Sequence, residues 1–235
     1  MTYPAFVTFI SILVVIIMLW KVVPTFAQMF TAMDSELPAA TQAILNLSEW
    51  FKRYYYLVFL ALIATPLVIF RYYKSEKGRY QMDKLFLKLP VMGDIIRKSS
   101  VARFTRTLGT LLNAGIPIIE ALRITSKTAG NKVLEYGIIK ALESISGGQT
   151  VAEPLSETEI FPPMVIQMIA IGEKTGNLAE MLDKVSDFYN DEVDSAVDNL
   201  TSLIEPAVIV GLGAIIGVIL VAMYLPMFTM AASIG

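Results

Sequence analysis

The chain has 235 residues, of which 55% are apolar and 17% are charged, whereas an ordinary soluble domain is about 45–50% apolar, so its composition predicts a membrane protein. Its net charge of −2 hides an asymmetry, because residues 71–132 hold 13 basic and 4 acidic residues and residues 133–205 hold 3 and 14. The chain contains neither cysteine nor histidine, which excludes thiol nucleophiles, imidazole bases and the usual zinc ligands, and we expect no catalytic site, cofactor or metal.

Three stretches are apolar and long enough to cross about 30 Å of hydrocarbon. Residues 5–20 are uncharged, and the apolar run resumes after Lys21. Residues 54–70 lie uncharged between Arg53 and Arg71, and residues 207–235 carry no charge. Aromatic residues flank the middle stretch at both ends, as is typical of membrane interfaces. We predict an all-α membrane protein with three transmembrane helices and one helical polar domain.

Basic residues indicate the orientation of the second span. Six of them follow it within residues 71–88, and two precede it directly. Because basic residues accumulate on the cytoplasmic side, we expect a cytoplasmic polar domain. The predicted organisation is a transmembrane helix at residues 1–24, a short periplasmic segment at 25–53, a second transmembrane helix at 54–73, the cytoplasmic domain at 74–203, and a third transmembrane helix with a periplasmic end at 204–235.

The first and third spans share a proline spacing. Pro4 and Pro24 are twenty residues apart, as are Pro206 and Pro226, at a fixed offset of 202 residues. Proline fits the first turn of a helix and also marks positions where helices stop or kink. We interpret the two spans as copies of one unit, with the frequent use of proline near membrane helix ends as the alternative. In this interpretation the first span ends a preceding repeat that the chain lacks.

Glycine and proline divide the polar domain into six predicted helices. These cover residues 74–89, residues 94–113 with Asp94 as a cap, residues 117–130, residues 131–147 with Asn131 as a cap, residues 164–171, and a long helix from the cap Asn177 to Ile204. A loop containing Pro154 is expected before the fifth helix. These residues do not show the alternation of apolar and polar side chains that is typical of β-strands, so the sequence predicts a six-helix bundle.

The last predicted helix carries an acidic stripe formed by Glu180, Asp183, Asp187, Asp191, Asp194 and Asp198. Like charges at this spacing destabilise a helix by about 0.2–0.5 kcal/mol per pair, so a cationic partner would be favourable. Candidates are the basic helix with Arg97, Lys98, Arg103 and Arg106, in this chain or in a neighbour, or an external partner. A solvated acidic face is the alternative.

Residues 172–176 read Gly-Glu-Lys-Thr-Gly and superficially suggest a phosphate-binding loop. Such a loop needs glycine, four residues and then Gly-Lys-Ser/Thr after a strand. Here Glu173 separates Gly172 from Lys174, and a helix is predicted to precede them. We therefore expect a turn between two helices, with Gly176 relaxing the backbone.

Two features of the third span remain. Gly213 and Gly217 are four residues apart, a spacing that lets helix backbones approach closely, and we expect them to serve transmembrane packing. Glu205 precedes this span and is a conceivable proton or ion site. No partner lies within sequence reach, so we expect a water-exposed or helix-start carboxylate.

Several motifs together resemble one family. They are Tyr3-Pro4 to Val23-Pro24, Glu36-Leu37-Pro38, LLNAGIPIIEAL at residues 111–122, FPPMVIQMIAIGEKTGNL at residues 161–178, and IEPAVIV from Ile204. Over essentially its whole length the chain is similar to the inner-membrane platform proteins of type IV pilus and type II secretion machines, the PilC/GspF family. Members carry two copies of a six-helix cytoplasmic domain with three membrane helices, and the chain resembles their C-terminal part.

The resemblance implies a non-enzymatic platform in the bacterial inner membrane that couples the cytoplasmic assembly ATPase to insertion of pilin or pseudopilin into a filament. It implies contacts with other inner-membrane assembly proteins and further copies of the chain, and none with nucleic acid. The candidate partner-contact residues are Arg97, Arg103, Arg106, Glu173, Lys174, Glu180, Asp183, Asp187 and Asp191. A transporter or channel component, and a membrane anchor for an enzyme, stay open as alternatives.

Overall fold

The computed structural model describes residues 2–31 and 38–234, and these residues form helices and turns without a β-strand. The predicted all-helical fold is therefore confirmed for the described part of the chain. Residues Glu36 and Leu37 of the family motif lie outside it, as do the side chains of residues 2–5 and 226–234. The chain divides into two compact units, a membrane unit of Met1–Leu67 with Thr201–Gly235, and a polar unit of Val68–Leu200.

Among the described residues, three helices are long and apolar enough to cross a membrane, as predicted. The first comprises α1 (Thr2–Ile17), a π-helical segment (Met18–Val22) and α2 (Val23–Thr31). The second is α3 (Ala39–Tyr73), and the third belongs to α10 (Leu178–Ile234). Large apolar side chains of α3 between residues 57 and 70 are exposed, which fits contact with lipid tails.

The π-helical segment has a local cause in Pro24. In this segment the N–H of Val23 donates to the carbonyl of Met18, five residues earlier. Pro24 has no N–H, so in the same register the carbonyl of Leu19 lacks a backbone donor. The hydroxyl of Ser48 in α3 donates to that carbonyl at 2.5 Å. A side chain of the second membrane helix thus satisfies the group that proline leaves unpaired in the first.

One end of the membrane unit is closely packed. Val23, Ile219 and Met223 are buried together there. Close by, the hydroxyl of Thr41 near the start of α3 donates to the carbonyl of Ala222 in α10, at 2.5 Å. Residues from all three membrane helices therefore meet at this end.

Helix α10 continues well beyond its predicted end at Ile204 and passes through Pro206. The predicted end was wrong because a proline removes a single backbone donor, while every other backbone group in an apolar segment is best satisfied by continuing the helix. Pro66 likewise lies inside α3, whereas Pro24 is the second residue of α2, directly after the π-helical segment. Neither Pro66 nor Pro206 marks a helix end.

The polar unit contains α4 (Glu76–Phe86), α5 (Met92–Asn113), α6 (Ile118–Thr128), α7 (Lys132–Ser146), α8 (Ala152–Ser156), α9 (Pro163–Thr175) and the start of α10. They surround an apolar core in which Phe104, Leu108, Leu122 and Leu182 are fully buried. The rings of Phe104 and Phe161 pack with their centroids 4.8 Å apart.

Some helix boundaries of the polar unit follow the predicted signals, and others differ. Helix α9 was predicted to end at Ile171 but continues through Gly172 to Thr175, because a single glycine weakens a helix without ending it. Asn131 caps α7 as predicted, because its Oδ1 accepts hydrogen bonds from the N–H groups of Val133 and Leu134. Helix α5 begins at Met92, so Asp94 lies in its first turn and is not the cap. The expected loop around Pro154 contains the five-residue helix α8, which the sequence analysis missed.

Candidate partner-binding face

The polar unit brings the basic helix α5 against the acidic stripe of α10. The guanidinium of Arg106 forms an ion pair with Asp187 and lies 3.8 Å from the carboxylate of Asp183. The side-chain amide of Asn113 donates to Asp183 at 3.2 Å. The sequence left open whether the cationic partner lies in this chain, in a neighbouring copy or in another protein. For Asp183 and Asp187 it is Arg106 of the same chain.

Lys98 forms a second link between these two helices. Its Nζ lies 2.9 Å from Glu192 of α10 and 2.9 Å from Asp94 of its own helix. The hydrogen bond to Glu192, followed by the one to Asp94, holds the pKa of Lys98 above its ordinary value of 10.5. Glu192 lies outside the acidic stripe and was not among the predicted contact residues.

Part of the acidic stripe remains open. Asp191, Asp194 and Asp198 are exposed and form no ion pair with another described residue, and we call these three the open acidic face. On α5, Arg97 and Arg103 are exposed and form none within the described ranges. The guanidinium of Arg103 lies against Gly130, so closely that a Cβ at that position would come within 2.5 Å of it.

Glu173 has an internal role. Its carboxylate accepts hydrogen bonds from the N–H of Val151 at 2.9 and 3.0 Å, and a longer one from Ala152. It therefore caps the N-terminus of α8, where backbone donors are unpaired and the helix dipole favours negative charge. The neighbouring Lys174 is exposed and forms no ion pair in the described part of the chain.

A turn at Gly176 and Asn177 joins α9 to α10, as predicted, and Glu173 lies before it, in the last turn of α9. Gly176 follows α9 with a φ of +74°, a left-handed conformation that favours glycine. A phosphate-binding loop, which needs a preceding strand, is thereby excluded. After the turn, Glu180 is exposed and pairs with Lys184 one helical turn later.

The family model described as Type II secretion system (T2SS), protein F, matches residues 104–226, just over half of the chain. This chain belongs to the protein F family. The matched residues include Arg106 and its partner Asp187, and also the open acidic face. The resemblance to the PilC/GspF family that the motifs indicated is confirmed.

Individual relatives of this protein F family member extend the similarity over the whole chain. The type IV pilus assembly protein PilC of Myxococcus xanthus is 46% identical over 234 residues, covering 100% of the chain and 56% of the relative. PilC of Pseudomonas aeruginosa is 42% identical over 236 residues, covering 100% and 63%. The type II secretion system protein F of Pseudomonas aeruginosa is 30% identical over 234 residues, covering 99% and 58%. The chain thus spans less than two thirds of these relatives.

Asp83 is a buried acidic residue that was not among the predicted contact residues. Asp83 of α4 accepts hydrogen bonds from the hydroxyl of Tyr73, at 3.0 Å, and from the N–H of Lys132, at 2.7 Å. Together with the Asn131 cap, it satisfies the first backbone donors of α7. It thereby joins the end of α3, α4 and the start of α7. The available signal was its position as one of only four acidic residues within the basic segment 71–132.

Gly213 and Gly217, which we expected to serve transmembrane packing, lie against open space. A Cβ built at Gly213 or at Gly217 would meet no atom within 4 Å among the described residues. These glycines therefore make no close helix contact within the described chain.

Glu205 is exposed, in agreement with the expectation of a water-exposed or helix-start carboxylate. Of these two positions it does not occupy the second, because α10 continues through Pro206 and Glu205 lies in its interior.

Proposed function

We propose that the chain acts as the inner-membrane platform of a type IV pilus or type II secretion machine. The observation that carries this proposal is membership of the protein F family, together with relatives named for pilus assembly and for secretion. In this role the platform couples the cytoplasmic assembly ATPase to insertion of pilin or pseudopilin into the filament. It also contacts other inner-membrane assembly proteins.

The proposed topology places residues 74–203, a helical bundle, in the cytoplasm. Segments 1–24, 54–73 and 204–235 cross the bacterial inner membrane, and residues 25–53 are periplasmic. Arg71, Lys74, Lys77, Lys84 and Lys88 support this orientation, because they are exposed and follow the second span closely.

The platform acts by binding, and the ATPase carries out catalysis. The chain lacks histidine and cysteine, and none of the relatives' names given above describes an enzymatic activity. Two cavities formed by described residues of the membrane unit are lined mainly by apolar side chains, which favours a platform over a conducting path. Gly213 and Gly217 are proposed as a contact between copies of the chain.

We propose that the ATPase docks on the charged surface formed by α5, the α9–α10 turn and α10. The residues concerned are Arg97, Arg103, Arg106, Glu173, Lys174, Glu180, Asp183, Asp187 and Asp191. These residues differ in how far contacts within the chain already engage them, and therefore in how strongly we expect each to bind the ATPase. Asp183 and Asp187 are engaged by Arg106, and Glu173 caps α8, whereas Asp191 belongs to the open acidic face. Exposed carboxylates without a pair attract a basic partner most directly.

Neutralising the open acidic face tests this docking. In the triple variant Asp191→Asn, Asp194→Asn, Asp198→Asn, we expect capture of the organism's assembly ATPase by the membrane-embedded protein to fall about tenfold, with membrane insertion unchanged. The matched control is Glu153→Gln, Glu157→Gln, Glu159→Gln. It removes the same charge from three exposed residues elsewhere on the polar unit.

The two triple variants separate the possible outcomes. Loss of capture in the first variant alone supports docking on the open acidic face. Equal loss in both would indicate an effect of net charge, and unchanged capture in both would remove the assignment of this face. Neutralising Asp183, Asp187 and Asp191 together provides a third comparison, which includes the two carboxylates that Arg106 engages.

A further inference from the structure

An apolar cavity lies between the first membrane helix and α3. It has a volume of 240 Å³ and is lined by Ile16, Trp20, Phe51, Lys52, Tyr55 and Phe59. The rings of Trp20 and Tyr55 stack across the two helices, with centroids 6.5 Å apart and an interplanar angle of 18°. The cavity therefore has an aromatic wall and a single charged residue in its lining.

A second cavity adjoins the first. Its volume is 370 Å³, and it extends between α1 and α10, from Thr8 and Ser11 to Ala207 and Gly211. Ile16 and Phe51 belong to the lining of both cavities, so the two spaces meet at these side chains. Empty apolar space deprives its lining of dispersion contacts, and within a bilayer the material at hand to fill it is hydrocarbon.

The charge of Lys52 selects the headgroup. Lys52 lines the first cavity, directly before the apolar stretch of α3, and is exposed without an ion pair among the described residues. The next cation, Arg53, instead lies over the ring of Tyr54, with Cζ 5.8 Å from its centroid. A lysine ammonium beside an apolar space at the membrane interface attracts a phospholipid of net negative charge, whereas a zwitterionic phospholipid offsets the same phosphate with its own cation.

We propose that the two cavities hold the acyl chains of one anionic phospholipid whose phosphate binds Lys52. The lipid fills the gap between the first membrane helix and its two neighbours, away from the closely packed end around Val23 and Met223. This site is independent of the proposed platform function.

Quenching of Trp20 fluorescence tests the proposal. The chain has two tryptophans, so Trp50→Phe leaves Trp20 as the only one. The full chain is reconstituted in phosphatidylcholine bilayers that contain the same low mole fraction of chain-brominated phosphatidylglycerol or chain-brominated phosphatidylcholine. We expect an apparent preference of about fivefold for the anionic lipid, as judged by quenching.

Three variants in the Trp50→Phe background assign this preference to the cavity. Lys52→Gln should abolish it. Lys21→Gln should preserve it, because Lys21 follows Trp20 in sequence but does not line the cavity. Ile16→Phe should reduce quenching by the anionic lipid to that of the zwitterionic lipid, since the larger ring occupies space shared by both cavities.

Several results would overturn the proposal. Equal quenching by the two lipids in the parent protein excludes headgroup selection. Equal effects of Lys21→Gln and Lys52→Gln indicate diffuse surface attraction. Absence of quenching by either lipid indicates that something other than lipid covers Trp20.

Discussion

The carboxylate of Glu173 accepts hydrogen bonds from the N–H of Val151 through both of its oxygens, at 2.9 and 3.0 Å. This contact joins the end of α9 to the start of α8, 22 residues earlier in the chain. A helix of five residues has few internal hydrogen bonds, so its stability depends on such external contacts. Glu173, in the last turn of α9, is thus a helix cap.

Replacing Glu173 by alanine should lower the free energy of unfolding by about 1–2 kcal/mol, because backbone donors of α8 lose their acceptor. Glu173→Gln keeps an acceptor but loses the charge, and should cost less. Thermal unfolding of the full chain in nanodiscs, followed by far-UV circular dichroism, measures both. Lys174→Ala is the control, with a change below about 0.5 kcal/mol. If it destabilised as much as Glu173→Ala, the capping role would be refuted.

Asp83→Ala should lower the free energy of unfolding by about 2–3 kcal/mol. It leaves the N–H of Lys132 and the hydroxyl of Tyr73 without their acceptor in a buried position. Tyr73→Phe removes only one of these hydrogen bonds and should cost about 1 kcal/mol. Denaturant titration in mild detergent gives these differences.

Tyr72→Phe is the matched control for Tyr73→Phe. Tyr72 is exposed, and its hydroxyl donates to Gln81, which is exposed as well. Water replaces that hydrogen bond, so the expected change is close to zero. An equal loss in both tyrosine variants would contradict a special role for Asp83.

Local signals in the sequence were sufficient where a helix end depends on nearby residues. Asn131 followed by an apolar pattern predicted the cap of α7, and Gly176 predicted the turn between α9 and α10. Both depend on hydrogen bonds or backbone angles within a few residues. The three membrane-spanning helices were predictable for a similar reason, since length and lack of charge suffice.

The sequence was insufficient where the partner lies far along the chain. Helix α8 depends on Glu173, and α7 depends on Asp83, 49 residues before its contact at Lys132. The pairing of Arg106 with Asp187 crosses 81 residues and stayed one alternative among several. The two apolar cavities of the membrane unit arise from the packing of separate helices, and no local pattern encodes them.

Ser48→Ala should destabilise the membrane unit by about 1 kcal/mol, because the carbonyl of Leu19 then loses its donor in the interrupted first helix. Ser11→Ala is the control. Ser11 donates to the carbonyl of Val7 four residues earlier in its own helix, where the backbone already supplies a donor. In nanodiscs, Ser48→Ala should unfold at a lower temperature than Ser11→Ala. The reverse order would contradict the proposal that Ser48 compensates for the backbone donor that Pro24 lacks.

Lys98 should give the polar unit a pH-dependent stability. Its pKa in the folded chain is raised above 10.5, chiefly by the hydrogen bond to Glu192, so folding favours the protonated form. The resulting stabilisation is fully present below the unfolded pKa and is lost as the pH rises through the folded pKa. We expect Lys98→Met to unfold at a lower temperature than the wild type, by an amount that corresponds to about 1 kcal/mol at neutral pH.

The temperature gap between wild type and Lys98→Met should stay constant from pH 7 to about pH 10 and shrink above that pH, because the lysine then loses its proton in the folded chain too. Comparing unfolding temperatures at each pH cancels the titration of all other groups that the two proteins share. Lys127→Met supplies a second baseline, since Lys127 is exposed and forms no ion pair with a described residue. A gap that persists unchanged above the raised pKa would mean that Lys98 acts through the packing of its aliphatic stem, and that its contacts with Glu192 and Asp94 contribute little.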